Sequence, residues 1–349
     1  MAYSTITKPG DYFKSVQYTG NGSTQSITGV GFQPDFTWIK DRSGGNDHQI
    51  VDSVRGATKA VSSNRDDALT FTDGLTSFDS DGYTLGLNTR YNGSSTNYVG
   101  WNWLAGTTSG IATDAESDIT PTGYSFNQTS GCSIVTYTGT GTSAEGVPHG
   151  LGAKPKWYMV KRTDTTGSWQ VYTQPNLDVS NATKYLRLNA TDAEATNNNR
   201  WQGYQPDATN FYLGNSTEVN ANGGTYVAYV FAEKQGYSKI GKYTGNGNAD
   251  GPFIYTGFRP SFVLIKEING ADIWAMYDDK RLGYNAANYV LESNNSGAEG
   301  TQSGRFELLS NGFKITYNWT PTNTSGQSYI YLAFGQSLVG SNDVPCTAR

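Results

Sequence analysis

The stretches Tyr18-Thr-Gly-Asn-Gly22, Tyr137-Thr-Gly-Thr-Gly141 and Tyr243-Thr-Gly-Asn-Gly247 state one motif three times. Each precedes a Gly-Phe or Gly-Leu element, a proline, and an apolar run ending in lysine. Pro34 to Lys40, Pro155 to Lys161 and Pro260 to Lys266 are each six residues apart, enclosing Phe36-Thr-Trp-Ile39, Trp157-Tyr-Met-Val160 and Phe262-Val-Leu-Ile265. A unit of about 105 to 120 residues is too long for a solenoid repeat and reads as a domain. The expected division is an N-terminal arm over 1–15, repeats over 16–125, 126–236 and 237–337, and a C-terminal tail over 338–349.

Working outward, His48, Trp169 and Trp274 each lie eight residues after the lysine and open a second strand. Gly82-Tyr-Thr-Leu-Gly86, Asn210-Phe-Tyr-Leu-Gly214 and Gly312-Phe-Lys-Ile-Thr316 alternate as half-buried strands do. Each unit closes on an aromatic strand: Asn97 to Trp103, Thr225 to Phe231, Ser328 to Phe334. In the third, Tyr329, Tyr331 and Ala333 face one way and Ile330, Leu332 and Phe334 the other, so both faces are apolar, as in the central strand of a sandwich. The best helix candidate, Asp192 to Asn197, is short.

Composition agrees with this pattern. The 349 residues include 42 Gly, 24 Tyr and 8 Trp against 3 Met, and only 16% are charged. Gly, Asn, Ser and Thr in bulk are turn chemistry, and short runs of Tyr, Trp, Val, Ile and Phe are strand formers. The expected fold is all-β: three tandem, related antiparallel β-sandwiches of jelly-roll or lectin-like type. Each unit is long enough to bury a core without a metal or disulfide staple.

A net charge of -5 and the lack of a basic, aromatic-interleaved cluster argue against nucleic acid as a partner. No run approaches the length of a membrane span, and no basic-then-apolar leader opens the chain, so it reads as soluble, without membrane insertion, and made without a signal peptide. Cys132 and Cys346 cannot make a disulfide framework; Cys132 reads as a half-buried strand thiol.

The search for catalytic groups is mostly negative. His48 occupies the position of Trp169 and Trp274, and His149 sits in a bend before the shared proline, so both read as structural. Asp66-Asp67, Asp79-Ser-Asp81-Gly82 and Asp278-Asp279 are carboxylate candidates, but none recurs in all three copies, and the second lacks the later Glu of a calcium loop. No cofactor and no metal site is expected. What remains is aromatic and amide surface, which suits sugar recognition because rings stack on pyranose faces and amides bond hydroxyls. The polar loops Asn88 to Thr96, Asn215 to Gly224 and Asn318 to Gln327 are where recognition is expected. Their candidate residues are Tyr91, Asn92 and Asn97, then Asn215, Glu218 and Asn220, then Asn318, Trp319 and Asn323.

Taken together, the Tyr-Thr-Gly-Asn-Gly turn, Gly-Phe-x-Pro-x-Phe-x-x-Ile-Lys, the aromatic closing strand, the opening Met1 to Phe13 and the tail through Ala333-Phe-Gly-Gln-Ser-Leu-Val-Gly340 to Val344-Pro-Cys-Thr-Ala-Arg349 resemble a family of phage virion proteins abundant in marine phages, including those of cyanobacteria. Cys346 stands where tails of that family usually carry Ala. The resemblance implies a non-enzymatic virion protein made in the host cytoplasm, tail-associated or of fibre type, with other virion proteins as partners; a fibre is expected to be a homotrimer, and the aromatic and amide surface makes host surface polysaccharide a candidate partner. A capsid decoration or head-fibre protein, and a secreted carbohydrate-binding or carbohydrate-cleaving protein, are the alternatives.

Overall fold

The computed structural model describes residues 6, 8–174, 183–281, 289–301 and 304–336. The proposed C-terminal tail, with Cys346, lies outside them. The fold is nearly all-β, with several antiparallel sheets. The first unit has β1 Phe13–Thr19, β2 Gln25–Ile27, β3 Phe36–Asp41, β4 Gln49–Asp52, β5 Lys59–Val61, β6 Thr70–Phe71, β7 Leu75–Asp79, β8 Gly82–Leu85, α1 Thr89–Asn92 and β9 Asn97–Trp103. The second has β10 Gly123–Asn127, β11 Cys132–Thr138, β12 Glu145–Pro148, β13 Trp157–Arg162, β14 Gln170–Thr173, β15 Lys184–Tyr185, β16 Ala195–Thr196, α2 Asn198–Trp201, β17 Asn210–Leu213, α3 Thr217–Asn220 and β18 Thr225–Phe231. The third has β19 Ser238–Thr244, β20 Phe253–Tyr255, β21 Arg259–Glu267, β22 Trp274–Asp278, β23 Tyr289–Glu292, β24 Gly300–Thr301, β25 Phe306–Leu309, β26 Gly312–Ile315, α4 Thr320–Asn323 and β27 Ser328–Gln336. The segment read as a helix, Asp192 to Asn197, contains β16, and α2 starts just after it.

The large sheets run β1-β9-β3-β4-β5-β6, β10-β11-β18-β13-β14 and β19-β27-β21-β22-β23-β24. In each, the aromatic closing strand lies between the strand that carries the Tyr-Thr-Gly turn and the post-proline strand. Small sheets β2-β8-β7, β12-β17 and β20-β26-β25 complete the units. Both faces of each closing strand are buried, as its two-sided apolar pattern requires. Tyr98, then Tyr226, Ala228 and Val230, then Tyr329, Tyr331 and Ala333, face three separate cores inside their own units.

The alternate residues do something that three independent sandwiches would not. Val99, Trp101 and Trp103, Val227, Tyr229 and Phe231, and Ile330, Leu332 and Phe334 all enter one core shared by the three units. The rings of Trp103, Phe231 and Phe334, at equivalent positions, form a triangle with centroid separations of 6.3, 5.6 and 5.4 Å. Phe13 stacks on Phe334 at 5.6 Å, and Ile6 is also buried in this core, so part of the expected N-terminal arm belongs to the fold itself. The three repeats therefore close around a pseudo-threefold axis.

The seams repeat in a cycle. His48 bonds Glu292 O at 3.0 Å, Trp169 Nε1 donates to Ser62 O at 2.8 Å, and Trp274 Nε1 donates to Arg187 O at 2.9 Å, so one position in each unit bonds the backbone of the preceding unit around the ring. Trp38 Nε1 donates to His48 Nδ1, which leaves the proton on Nε2; burial holds this imidazole neutral. Two of the three equivalent buried lysines cross the same seams. Lys161 Nζ donates to Asp66 O of the first unit at 3.3 Å and Lys266 Nζ to Thr191 O of the second at 3.1 Å, while Lys40 Nζ donates to Asp41 O and Gly44 O. Burial lowers each to about 8.

Two expected outcomes follow from the seams. Trp169→Ala or Trp274→Ala should cost about 3 to 5 kcal/mol. Because both rings lie in the shared core rather than in one unit's own, calorimetry should show one transition for the whole chain, not the loss of a single unit. Unfolded lysine titrates at about 10.5, so between pH 8 and 9, below the range where unfolded tyrosine begins to ionise, these three lysines bind more protons in the unfolded chain than in the folded one. Stability should therefore rise with pH across that window, by up to about 1.4 kcal/mol per pH unit per lysine. Denaturant titrations of the parent and of Lys161→Met measure this; the variant should show the shallower slope.

Candidate functional site

The thrice-stated motif builds a latch. Tyr18 Oη donates to Tyr91 O at 2.8 Å, Tyr137 Oη to Val219 O at 2.7 Å and Tyr243 Oη to Thr322 O at 2.9 Å, tying each turn to α1, α3 or α4. These rings stack on Tyr98, Tyr226 and Tyr329 at 5.1, 5.1 and 5.0 Å, whose hydroxyls cap the same helices at Thr89 O, Thr217 O and Thr320 O. The first glycine of the motif is required by a close approach: a Cβ on Gly20, Gly139 or Gly245 would sit 2.3 to 2.4 Å from a carbonyl oxygen just past the helix. The second has a positive φ, +71° at Gly22 and +69° at Gly247.

This latch uses residues that the sequence placed in recognition loops. Asn92, Asn220 and Asn323 are fully buried and equivalent. Their Oδ1 atoms accept from Asn21 N, Thr140 N and Asn246 N at 2.9, 2.8 and 2.9 Å. Their amides donate inward to backbone carbonyls, such as Gly86 O, Thr142 O and Tyr317 O. Tyr91 is buried too, with its hydroxyl on Gln49 Oε1 at 3.1 Å. These four are corrections to the expected surface, because an amide whose bonds are spent inside the fold has none for a ligand. Asn97, Asn215 and Asn318 do face solvent, Glu218 is half-exposed, and Trp319 is half-buried with Arg305 4.4 Å over its ring. They lie on three separate units and do not converge on one pocket.

The chemically suggestive groups are structural. Asp81 is a turn residue whose carboxylate accepts from Gly29 N and Gly31 N. His149 is buried, accepts from Leu151 N and is pushed down to about 4 by burial. Cys132 is fully buried rather than half-buried, and burial raises its thiol. Among the described residues no group of three His, Cys, Asp or Glu could hold a metal ion, and no helix is long and apolar enough to cross a membrane.

The structure adds a concave site that the loop reasoning missed. A cleft of about 750 Å³ runs along the seam between the first and second units, with Asp35, Val54, Leu104, Pro121, Thr122 and Tyr124 in its walls. Val54 and Thr122 also border a second hollow of about 430 Å³ that includes Arg55, Lys59, Leu69, Thr136 and Thr163. Asp35 is satisfied at the base of the cleft: its oxygens accept from Ser53, Ser125 and Ala105 N. The signal available in the sequence was the longer connection from 104 to 122, which spans this seam and has no counterpart of that length before the third unit. A separate exposed aromatic surface, Phe253, Tyr255 and Tyr317, belongs to the third unit's small sheet and its exit.

One sequence family model runs through all of these elements, from residue 8 to 337. The chain belongs to the family described as a domain of unknown function, DUF7483. Neither the curated proteins nor the solved structures give a match. The DUF7483 match covers all three repeats at once, in keeping with a shared core that no single repeat could complete.

Asn220→Ala should cost about 2 kcal/mol, since it empties a fully buried position and removes the bonds to Thr140 N and Thr142 O. Asn215→Ala and Asn318→Ala should change stability by less than about 0.5 kcal/mol. Urea midpoints of the three variants check the contrast; a neutral Asn220→Ala would return that residue to the surface set.

Proposed function

We propose that this chain is a non-enzymatic structural protein of a phage virion, tail-associated or of fibre type, that presents a surface to host glycans. The supporting observation is the closed pseudo-threefold body, in which both histidines, the one described cysteine and the recurrent lysines are committed to folding. Beside its exposed charged groups, its outward loops carry hydroxyls, amides and a few rings, the chemistry of display and adhesion. The whole-chain resemblance to marine phage virion proteins points the same way.

A second reading is favoured by the pseudo-threefold axis itself. A chain that closes its own threefold ring fits a capsid decoration role, capping a threefold position as one copy, whereas a fibre is expected to be a homotrimer around an axis.

Gold-labelled antibody against this chain, imaged on purified particles, should label the tail. Label spread over the head makes it a decoration protein, and unlabelled particles overturn the virion reading and favour the secreted carbohydrate-binding alternative. Light scattering adds copy number: the fibre reading expects three 37.8 kDa chains per particle in solution, the decoration reading one.

A further inference from the structure

The three small sheets share a backbone pattern and differ in what covers their outer faces. Their register is common: Ile27 pairs with Tyr83, Val147 with Phe211 and Ile254 with Phe313. The residues on either side of these three are therefore equivalent as well. They are Ser26 and Thr28 in the first unit, Gly146 and Pro148 in the second, and Phe253 and Tyr255 in the third. The first face is polar, with Ser26 Oγ and Thr84 Oγ1 3.3 Å apart. The second lies beneath the chain's own connection: Gly146 O accepts from Asp118 N and Ile119 N, both at 3.0 Å, and a Cβ on Gly146 would sit 2.0 Å from Glu116 O. The third carries two rings, 47% and 56% exposed.

Those rings are not there for the fold. Ile254 between them enters the third unit's core, so Phe253 and Tyr255, two apart on β20, point outward together, about 7 Å from one another along the strand. Tyr255 stands opposite Gly312, and the Phe253 ring leans over that glycine, 3.0 Å from where a Cβ would be. The first unit keeps the equivalent glycine, Gly82, and builds the same sheet with Ser26 and Thr28, so neither position needs a ring. Two rings side by side in water forgo the gain of burial, which a partner laid on them would restore. We propose that the Phe253 and Tyr255 face of β20 is a stacking platform for a neutral, flat saccharide chain.

The size of the face argues for a sugar over a protein. Two aromatic side chains about half exposed offer roughly 200 Å² together. A stable protein interface takes about 800 Å² from each partner. Two rings suit one or two pyranose units, whose axial C–H groups lie flat on them. The charges alongside set the ligand's charge. Lys314, opposite Phe253, is ion-paired with Asp250, and Glu307 stands opposite Lys314 on β25. A uronate or sulfate would meet a carboxylate there and a cation already engaged, whereas a neutral chain loses nothing. Tyr317, past the end of β26, has Arg305 5.5 Å over its ring and is not counted in the platform. The inference rests on the glycan-recognition reading and gives it a site and a ligand class: a neutral polymer with equatorial linkages, such as a β-1,4-glucan, whose ribbon is flat.

The test is calorimetric titration of the full chain with cellohexaose and with maltohexaose, whose α-linked chain coils. Cellohexaose should bind, and more tightly than maltohexaose. Phe253→Ser combined with Tyr255→Thr, which installs the side chains of the equivalent first-unit positions, should weaken cellohexaose binding by about tenfold or more and leave the melting temperature unchanged. Tyr255→Leu keeps apolar bulk without a ring face; it should weaken binding about threefold or more, and keeps the test decisive if the double variant fails to fold. Tyr204→Ala, which removes an exposed ring of the second unit, should change nothing. Absence of cellohexaose binding, equal binding of the two sugars, tighter binding of hexagalacturonate, or indifference to the ring substitutions would each overturn the proposal. So would sugar-free self-association that the double variant abolishes, since it would seat a second copy on the rings. Antibody labelling is read separately: labelled particles with no cellohexaose binding remove this site alone, and ring-dependent cellohexaose binding with unlabelled particles removes the virion reading.

Discussion

The structure depends on three rings that meet on one axis. Trp103, Phe231 and Phe334 come from the ends of three equivalent strands, and none of them could be buried by its own repeat. Apolar area removed from water stabilises by about 25 cal/mol per Å², so leaving a whole face of each large sheet exposed would undo much of what the unit's inner core gains. Closing the ring solves this for all three repeats at once. It also explains why the closing strands are apolar on both faces: one face serves the repeat and the other serves the assembly of repeats.

Closure then sets the polar chemistry. A seam between sheets buries backbone carbonyls and side chains that must find partners. The chain meets this with ring N–H groups at one recurrent position and, at two of the seams, a lysine reaching the neighbouring unit's carbonyls. Asp-Arg pairs reinforce two of the seams: Tyr229 bonds Asp52 and Arg55, and Trp101 bonds Asp278. At the third seam the equivalent positions hold Leu332 and Thr173, both buried, and Thr173 has no carboxylate with which to form such a pair. Groups that look catalytic in isolation, a buried histidine or a lysine with a lowered pKa, are here consequences of burial at a seam.

Much of this was legible beforehand, and the failures have a common cause. Period-two alternation over Ser328 to Phe334 gave the strand and its two buried faces, because side chains alternate across a strand whatever lies beyond. His48 was readable as structural from its register with Trp169 and Trp274. Asn92, Asn220 and Asn323 escape a sequence reading because Asn in a polar loop has the same local signature whether its amide faces water or the backbone of a turn 71 to 80 residues away. The segment Asp192 to Asn197 was misread for a related reason: its extended conformation comes from pairing with β15 and with the third unit, not from propensity.

The sequence by itself determined the strands, the threefold repetition and the glycines of the latch, since these follow from local sterics, side-chain alternation and spacing. Only the tertiary structure decided that the repeats share a core instead of folding side by side, and that Asn92, Asn220 and Asn323 turn their amides into the fold. The physical reason is distance along the chain. Which sheet faces meet, and which charge finds a partner, is settled by contacts between residues one or two whole repeats apart, and no local pattern encodes their approach.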